Sequence, residues 1–203
     1  MSAAGKLASD DAVIQGTLEA LEAAVVRVGP GMDPQHVGNT LWGVATLGLT
    51  PGAEARAALE AAVVRVGPDM VPQALSNTVW SYATLGLMPG AEARMALEVA
   101  VVRVGPSMNA QALANTIFAY ATLGWMPGAE AWAALEVAVV RVGPRMNAQD
   151  AANTLWGVAK LGLMPGAEAL VALEAAVVRV GPGMNPQNLS NTIWSFATAQ
   201  LQL

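Results

Sequence analysis

The stretch PDMVPQALSNTVWSYATLGLMPGAEARMALEVAVVRVG, residues 68–105, recurs along the chain at a fixed step of 38 residues, the distance from Pro68 to Pro106. A period of this length is the sequence signature of a stacked repeat architecture. We divide the chain into a flexible N-terminus at 1–9 and one array over 10–203. Its units are a half repeat at 10–29, full repeats at 30–67, 68–105, 106–143 and 144–181, and a half repeat at 182–203.

Each full copy is predicted to contain two helices, A and B. Helix A follows an N-cap residue, with proline at its first position in two copies, and it ends at a glycine such as Gly48. The predicted caps and prolines are Asp33, Asn109, Asn147, Asn185, Pro34 and Pro186, and Val71 is the exception to the capping rule. In the first half repeat, Asp10 or Asp11 is expected to cap a helix that runs to about Val28.

Helix B is predicted from the apolar spacing i, i+3, i+4, i+7, i+8, i+11 that begins at Ala55 and ends at Val66. The residues of this stripe are Ala55, Ala58, Leu59, Ala62, Val63 and Val66, and the expected helix starts are Pro51, Pro89, Pro127 and Pro165. Gly67 is available for a left-handed cap, and Pro68 prevents continuation. Because one helix pair cannot bury both of its faces, the fold class is all-α, a right-handed α-solenoid of antiparallel helix pairs with about ten helices.

The composition narrows the classes of function that this chain can have. Hydrophobic residues make up 54% and charged residues 12%, which excludes a disordered chain. The net charge is −5 with only 10 Lys plus Arg, the opposite of the usual balance in nucleic-acid binders. There is no cysteine, so disulfide and thiolate chemistry are excluded.

The uncharged run at 71–91 is long enough to cross a bilayer, but its Pro, Gln, Asn and Ser residues favour a pair of core helices. No membrane association is therefore expected.

The N-terminus has neither the pattern of a signal peptide nor that of a transit peptide. At the other end, Gln200 and Gln202 are consistent with a polar cap or with a fragment of a longer array. We expect a monomer unless uncapped ends stack.

One side of helix A is predicted to face helix B through Val37, Leu41, Val44, Ala45 and Gly48. The opposite side carries amides and aromatic rings, which stacking would line up as ladders across the copies. The ladders are Gln35, Gln73, Gln111, Gln149 and Gln187; Asn39, Asn77, Asn115, Asn153 and Asn191; and Trp42, Trp80, Phe118, Trp156 and Trp194. Amides beside flat rings suit unpaired bases, which proteins read by edge hydrogen bonds and stacking.

Structural interpretations of the same residues stay open. The Asn ladder is also typical of side chains that bond the backbone of the next repeat, and the Gln ladder of residues that help cap helix A. The rings are equally consistent with packing between repeats.

Variation between copies supplies further candidates, because recognition should let positions differ while packing should hold them alike. The varied positions are His36, Ala74, Ala112, Asp150 and Asn188, followed by Gly43, Ser81, Ala119, Gly157 and Ser195. One base read per copy would produce such variation, and so would drift at exposed sites. His36 is the only histidine, so a histidine metal cluster is excluded.

Basic residues recur near the end of helix B at Arg27, Arg65, Arg103, Arg141 and Arg179. This register is consistent with a favourable interaction with the helix dipole or with a stripe that follows phosphates. The sequence contains no phosphate loop, no nucleophile paired with a base and no zinc spacing. We therefore expect no enzyme activity, no metal and no cofactor.

The run from Pro72 to Trp80, PQALSNTVW, followed by Ala83-Thr84-Leu85-Gly86, resembles the octotricopeptide repeat family of organellar RNA-binding proteins in algae. It is also similar to units in chloroplast translation factors and kinetoplastid RNA-editing subunits. The family's Pro-Pro-Pro-Glu-Trp signature falls on residues 51–55, where only Pro51 and Glu54 match. The resemblance covers Pro30 to about Thr198.

The resemblance implies sequence-selective binding of single-stranded RNA along a concave face of A helices, in a chloroplast or mitochondrion and without catalysis. We predict about one nucleotide per repeat at the amide ladders and varied positions, five at most. So short and acidic an array should bind weakly, because few phosphates can be neutralised. The alternatives are a scaffold that binds a protein or peptide in the same groove, and a designed or consensus array with no natural ligand.

Overall fold

The computed structural model describes residues 3–199 and contains, within that range, ten α-helices and five short 3-10 helices. The α-helices are α1 Ala3–Val28, α2 Pro34–Thr46, α3 Ala53–Val66, α4 Pro72–Leu85, α5 Ala91–Val104, α6 Ala110–Leu123, α7 Ala129–Val142, α8 Ala148–Leu161, α9 Ala167–Val180 and α10 Pro186–Thr198. The 3-10 helices are Gly29–Gly31, Gly67–Asp69, Gly105–Ser107, Gly143–Arg145 and Gly181–Gly183. The predicted polar cap at Gln200 and Gln202 lies outside the described residues.

The helices form two layers. The even-numbered helices are the A helices and the odd-numbered helices are the B helices. Each helix packs against its equivalents one repeat before and one repeat after, and each A helix from α2 to α8 also packs against the B helix that follows it. This arrangement confirms the predicted all-α solenoid of helix pairs. Successive A helices pack against one another directly, whereas each B helix packs against both the preceding B helix and the 3-10 turn that follows that helix.

Apolar side chains between the two layers form one core that runs the length of the array. The largest fully buried side chains recur at equivalent positions of successive repeats. They include Met70, Met108 and Met146; Leu75 and Leu113; and Leu97, Leu135 and Leu173. The predicted stripe on helix B is confirmed, since all of its residues are buried except the half-buried Ala58.

The A helices begin as predicted. The side chains of Asp33, Asn109, Asn147 and Asn185 each accept a hydrogen bond of 2.8 Å from the backbone N–H three residues later. Val71 makes no such bond, and Pro72 occupies the first position of α4. Capping thus fixes the start of the A helix in every repeat but one.

Two kinds of glycine end the helices, and the sequence prediction was right for only one of them. Gly48, Gly86, Gly124 and Gly162 stop the A helices with φ between 64° and 65°, a conformation that favours glycine. Gly67 is right-handed, with φ −50°, so the predicted left-handed cap is wrong there. A Cβ on Gly67 would lie 3.0 Å from the Cβ of Ala96, which shows that this glycine is needed for close packing.

The predicted helix starts in the B layer need correction. α3 begins at Ala53, with Gly52 as an extended N-cap, so Pro51 precedes the helix and does not open it. α1 begins at Ala3, well before Asp10 and Asp11, so neither of these residues is its cap. The part of the predicted flexible N-terminus from residue 3 to residue 9 is therefore helical.

Two polar contacts join successive B helices. The guanidinium of Arg103 donates to the carbonyls of Pro68 (2.9 Å) and Met70 (2.6 Å) at the preceding 3-10 turn, and Arg141 does the same one repeat later. Arg65 and Arg179 donate to the equivalent methionine carbonyl and to the carbonyl of the glycine that opens the turn. In the opposite direction, the carboxylate of Glu60 accepts from the N–H of Gly90 (2.6 Å) at the start of the next B helix. Glu22, Glu98 and Glu136 repeat this cap on Gly52, Gly128 and Gly166.

The glycines that follow the B helices offer a matched pair for mutation. A Cβ on Gly143 would lie 3.0 Å from the backbone oxygen of Ala172, whereas Gly181, one repeat later, has nothing within 4 Å. We expect Gly143→Ala to lower the free energy of unfolding by about 1–2 kcal/mol because backbones must move apart. Gly181→Ala should be neutral or stabilising by up to about 1 kcal/mol. Urea denaturation followed by circular dichroism measures both, and equal effects would contradict the packing argument.

The arginine contact also has an internal control, because Arg27 makes no hydrogen bond among the described residues. We expect Arg103→Gln to destabilise the fold by about 1 kcal/mol, since two carbonyls lose a charged donor. Arg27→Gln should change stability by less than about 0.5 kcal/mol. A similar shift of the denaturation midpoint in both variants would show that the arginines act only through the helix dipole.

Candidate functional site

The surface of the A layer carries a groove of about 470 Å³ where α2, α4 and α6 meet. Its walls are mainly amide side chains from three successive repeats, together with the ring of Trp42. The lining includes Asn39, Trp42, Gln73, Asn77, Gln111 and Asn115. The predicted Gln and Asn ladders therefore come together on one surface, which we call the amide groove, and α8 and α10 carry Gln and Asn at the equivalent positions.

The amides of this surface are available to a ligand. All five Gln side chains of the ladder are exposed, Asn39 is exposed, and the other four Asn side chains are half-buried. Among residues 3–199, none of these ten side chains makes a hydrogen bond. The alternatives in which the Asn ladder bonds a neighbouring backbone and the Gln ladder caps helix A are therefore wrong.

The rings of the aromatic ladder are partly packed between repeats and partly exposed. The rings of Phe118 and Trp156 touch across one repeat boundary, with centroids 4.9 Å apart and planes inclined by 35°. The interior members are half-buried, whereas Trp42 and Trp194 at the two ends are 46% and 42% exposed. Trp42 lines the groove, whereas the interior rings are half-buried and are not part of that lining.

The first set of varied positions lines the groove at one member only among those buried in the A layer, since Ala112 is part of the lining. Ala74, Asp150 and Asn188 are buried between successive A helices and are absent from that lining. The backbone of Ala74, for example, lies against Gly38 of the preceding repeat, 3.1 Å from where a Cβ would be. Only His36 is exposed, because no A helix precedes α2 among residues 3–199.

The second set is buried for the same reason. Ser81, Ala119 and Ser195 are fully buried, and Gly157 is also buried, so their prediction as base readers is wrong. A Cβ on Gly157 would lie 2.7 Å from Cγ2 of Ile117 in the preceding repeat. Gly43 is half-buried, and a Cβ there would have nothing within 4 Å, since α2 is the first A helix of the part of the chain that the structure describes.

The variation follows steric pairing. Ile117 and Gly157, which contact each other, are 40 residues apart. The same offset in the other repeats pairs Leu with Ser and Val with Ala. The pairs are Leu41 with Ser81, Val79 with Ala119, Ile117 with Gly157 and Leu155 with Ser195. Positions can thus vary because they pack, provided that they vary in step with the residue opposite.

Asp150 caps a helix and so has a structural role. Its carboxylate accepts from the N–H of Asn147 at 3.1 Å, while the Asn147 side chain accepts from the N–H of Asp150 at 2.8 Å, which completes a capping box. Burial raises the pKa of Asp150 above its usual range, and the hydrogen bond from Asn147 offsets only part of that rise. Asn188 occupies the same position one repeat later without a charge.

Sequence reasoning missed two features of the groove. Asn109 lines the groove in addition to capping α6, and Ser76 of α4 also lines it. The capping signal identified Asn109, but nothing in the sequence showed that the cap opens onto the groove. The exposed Thr46, Thr84, Thr122 and Thr198 extend each stripe by one turn, and Lys160 replaces threonine in the fourth repeat.

The groove is almost free of positive charge. Among the described residues, the A helices carry one lysine or arginine, Lys160, and the 3-10 turns that precede them carry one, Arg145. The arginines near the ends of the B helices, Arg65, Arg103, Arg141 and Arg179, are hydrogen-bonded to carbonyls of the neighbouring repeat. This bonding argues against the alternative in which that register follows phosphates. A ligand in the groove would therefore be held mainly by hydrogen bonds and stacking.

The two-layer stack of equivalent helix pairs, with a polar groove on its A layer, defines a helical-repeat protein of the α-solenoid class. The chain belongs to the family described as the Tbc2 translation factor, N-terminal domain, whose family model matches residues 1–145. No curated protein matches the chain. Within residues 3–199, no helix combines the length and apolar character needed to cross a membrane.

The buried carboxyl of Asp150 predicts a pH effect on stability. Because its folded-state pKa is raised above the ordinary 3.8, the folded chain binds this proton more tightly than the unfolded chain does. The Asp150 contribution to stability is therefore favourable below pH 3.8 and is lost as the pH rises through the folded pKa. We expect Asp150→Asn, which copies Asn188, to stabilise the fold at pH 7 and to flatten this part of the profile. Thermal melts from pH 3 to pH 7 test it, and Asp69→Asn, an exposed acid, is the control.

Proposed function

We propose that this chain is a non-enzymatic RNA-binding module that holds single-stranded RNA in the amide groove, with about one nucleotide per repeat. The observation that carries the proposal is the set of ten side-chain amides that lack partners within residues 3–199 and flank a row of aromatic rings. Amides both donate and accept hydrogen bonds, and they can therefore pair with base edges. The rings supply stacking faces that every base can use.

The spacing of the helices favours an unstacked strand. Packed helices lie about 8–10 Å apart, whereas stacked bases rise by about 3.4 Å. A strand that places one base on each repeat must therefore separate its bases, and the rings take over the stacking that is lost. This geometry excludes a duplex, whose bases stay stacked and paired.

Family membership supports a role in translation, because the matching family is described as a translation factor domain. We propose further that the repeats are of the octotricopeptide type and that the protein acts in a chloroplast or mitochondrion. These two points depend on the PQALSNTVW motif and its resemblance to organellar RNA-binding repeats.

The corrected site contains fewer contacts than the sequence predicted. Base selection would depend on the Gln, Asn and aromatic ladders, which hardly change between repeats, and not on the varied positions. We therefore expect modest sequence preference. With two nearby cations, affinity should be weak and should fall only slowly with salt, because about 0.7 counterions are released per neutralised phosphate of a single strand.

A second function, peptide binding in the same groove, is favoured by one observation, the near absence of lysine and arginine from the A layer. A peptide backbone offers the same alternation of donors and acceptors as base edges and carries no phosphates to neutralise. If the groove binds peptides, the B layer takes no part in binding. Single-stranded and duplex RNA should then not differ in their binding to the chain.

Fluorescence anisotropy with a labelled pool of random single-stranded RNA tests the proposal. We expect binding at low salt, a slope of log affinity against log salt no steeper than about −1.5, and no binding of duplex RNA. Asn77→Ala combined with Asn115→Ala should weaken binding at least about tenfold, because two hydrogen bonds are lost.

The matched control is Met88→Ala combined with Met126→Ala, since these exposed residues lie in the same two repeats but outside the lining of the groove. This variant should bind RNA normally, and both variants should keep their helical content by circular dichroism. Absence of RNA binding at low salt, or equal binding of duplex RNA, would reject the proposal.

A further inference from the structure

The outer surface of the B layer carries another groove, between α5 and α7. Two adjoining cavities form it, one of about 660 Å³ along the outer face of α5 and one of about 450 Å³ at the beginnings of α5 and α7. Their linings share Met95, Glu98 and Gly128, so the two cavities are continuous. We call this surface the methionine groove, after Met88, Met95 and Met126 in its lining.

The walls of the methionine groove are apolar and accessible. Met95, Met126 and Met88 are 63%, 54% and 46% exposed. Val99 and Val102 continue the wall along α5, and both are exposed. Large apolar side chains gathered on one exposed surface are typical of a site where another molecule docks. Methionine suits such a site, because its flexible thioether adapts to the shape of the side chain that it contacts.

The floor of the groove is held in place by contacts within the chain. Trp125 is buried, and its indole N–H donates to the carboxylate of Glu98 at 3.2 Å. The ring of Trp125 stands edge-on to that of Tyr120, with centroids 4.4 Å apart and planes inclined by 81°. The Glu98 carboxylate also accepts from the N–H of Gly128 at 3.2 Å. A floor that is ordered before binding lowers the entropy that binding costs.

The residues of this groove distinguish its junction from the other junctions of the array. Met95 and Trp125 are replaced by other residue types in each of the other full repeats. The equivalents of Met95 are Ala57, Ala133 and Val171, and those of Trp125 are Leu49, Leu87 and Leu163. In a chain whose repeats are otherwise nearly alike, the methionine groove therefore offers a partner one preferred place along the array.

One positive charge in the lining has no partner within the chain. Arg94 lines the groove beside Met95, and its Nε is buried without a hydrogen-bond partner among residues 3–199. Arg94 makes no other hydrogen bond and no ion pair within those residues. By contrast, Arg103 in the last turn of α5 bonds to two backbone carbonyls. Because a buried donor without a partner costs free energy, a carboxylate that reached Arg94 would gain a charge-assisted hydrogen bond.

The shape of the groove favours a helical partner. Its long wall presents Met95, Val99 and Val102, the i, i+4, i+7 spacing at which one helix packs against another. An extended segment would need a row of free backbone donors and acceptors beside it, whereas the backbone groups along this wall are bonded within α5. A helix satisfies its own backbone groups and presents side chains, which are what this wall can bind.

We propose that the methionine groove binds an amphipathic α-helix of a protein partner. This helix carries large apolar residues at i, i+3 or i+4, and i+7, and an aspartate or glutamate that pairs with Arg94. An anionic membrane surface fits the groove less well, because it would repel the carboxylates of Glu98 and Glu130 in the lining. The proposal is independent of RNA binding, since the methionine groove and the amide groove share no residue.

Selection from a phage-displayed library of helical peptides of about 15 residues, with one face randomised, tests the proposal on the intact chain. We expect the enriched peptides to carry apolar residues at helical spacing together with an aspartate or glutamate. Counter-selection on Met95→Asp identifies the peptides that bind this groove, because a charge at its centre should abolish their binding. Absence of enrichment, or enrichment that Met95→Asp leaves unchanged, overturns the proposal.

An enriched peptide, synthesised with a fluorescent label, then tests the pairing with Arg94 by anisotropy. We expect a Kd of about 1–100 μM. Arg94→Gln in the chain, or replacement of the peptide's acid by its amide, should each weaken binding about tenfold, because a charged hydrogen bond is lost. The two changes together should weaken binding no more than either alone. Losses that add would overturn the proposal, since the acid would then not meet Arg94.

The matched control is Met164→Ala combined with Val171→Ala, two exposed apolar residues outside the lining of the groove. This variant should bind the peptide normally, whereas Met88→Ala combined with Met126→Ala should weaken peptide binding and leave RNA affinity unchanged. Equal loss of peptide binding in both variants would contradict the proposal. So would a dimer of the peptide-free chain that Met95→Asp dissociates in sedimentation velocity, because a second copy would then be the occupant. Circular dichroism checks that each variant is folded.

Discussion

The close approach of successive A helices is the constraint on which the rest of the structure depends. Where α2 meets α4, Gly38 and Ala74 bring backbone within 3.0 Å of an added Cβ, and where α6 meets α8, Gly157 does the same against Ile117. Such short distances are possible only with small side chains on at least one of the two helices. They place the amide side chains of neighbouring repeats beside one another, which is why the groove is continuous.

The sequence predicted the elements of the fold well because they are decided locally. Gly48 and its equivalents carry a left-handed conformation, Asn109 and its equivalents cap their helices, and the apolar stripe from Ala55 to Val66 has a helical period. Gly67 was assigned the wrong role, because a glycine that permits a backbone contact looks the same in a sequence as one that permits a positive φ. The difference lies in Ala96, one repeat away.

The candidate site was predicted less completely for a similar reason. The placement of Gln73 and Asn77 on the same side of helix A followed from helical periodicity alone, so the ladders were found. The burial of Ala74 and Ser81 depends on how far the preceding A helix reaches around α4, which periodicity within one helix does not contain. Variation at those positions therefore indicated recognition when its cause was packing, and the arginines of the B layer proved to be part of the inter-repeat contact.

The pairing of residues across the junctions has a consequence for how this array can change in length. Loss or gain of a single repeat would create a pair that the present junctions lack, for example Leu41 against Ala119 after loss of the second repeat. The first and fourth repeats share the same two residues, Leu41 with Gly43 and Leu155 with Gly157. Removal or duplication of 114 residues (three times 38) between those two copies would therefore preserve the pairs that a change of one repeat breaks.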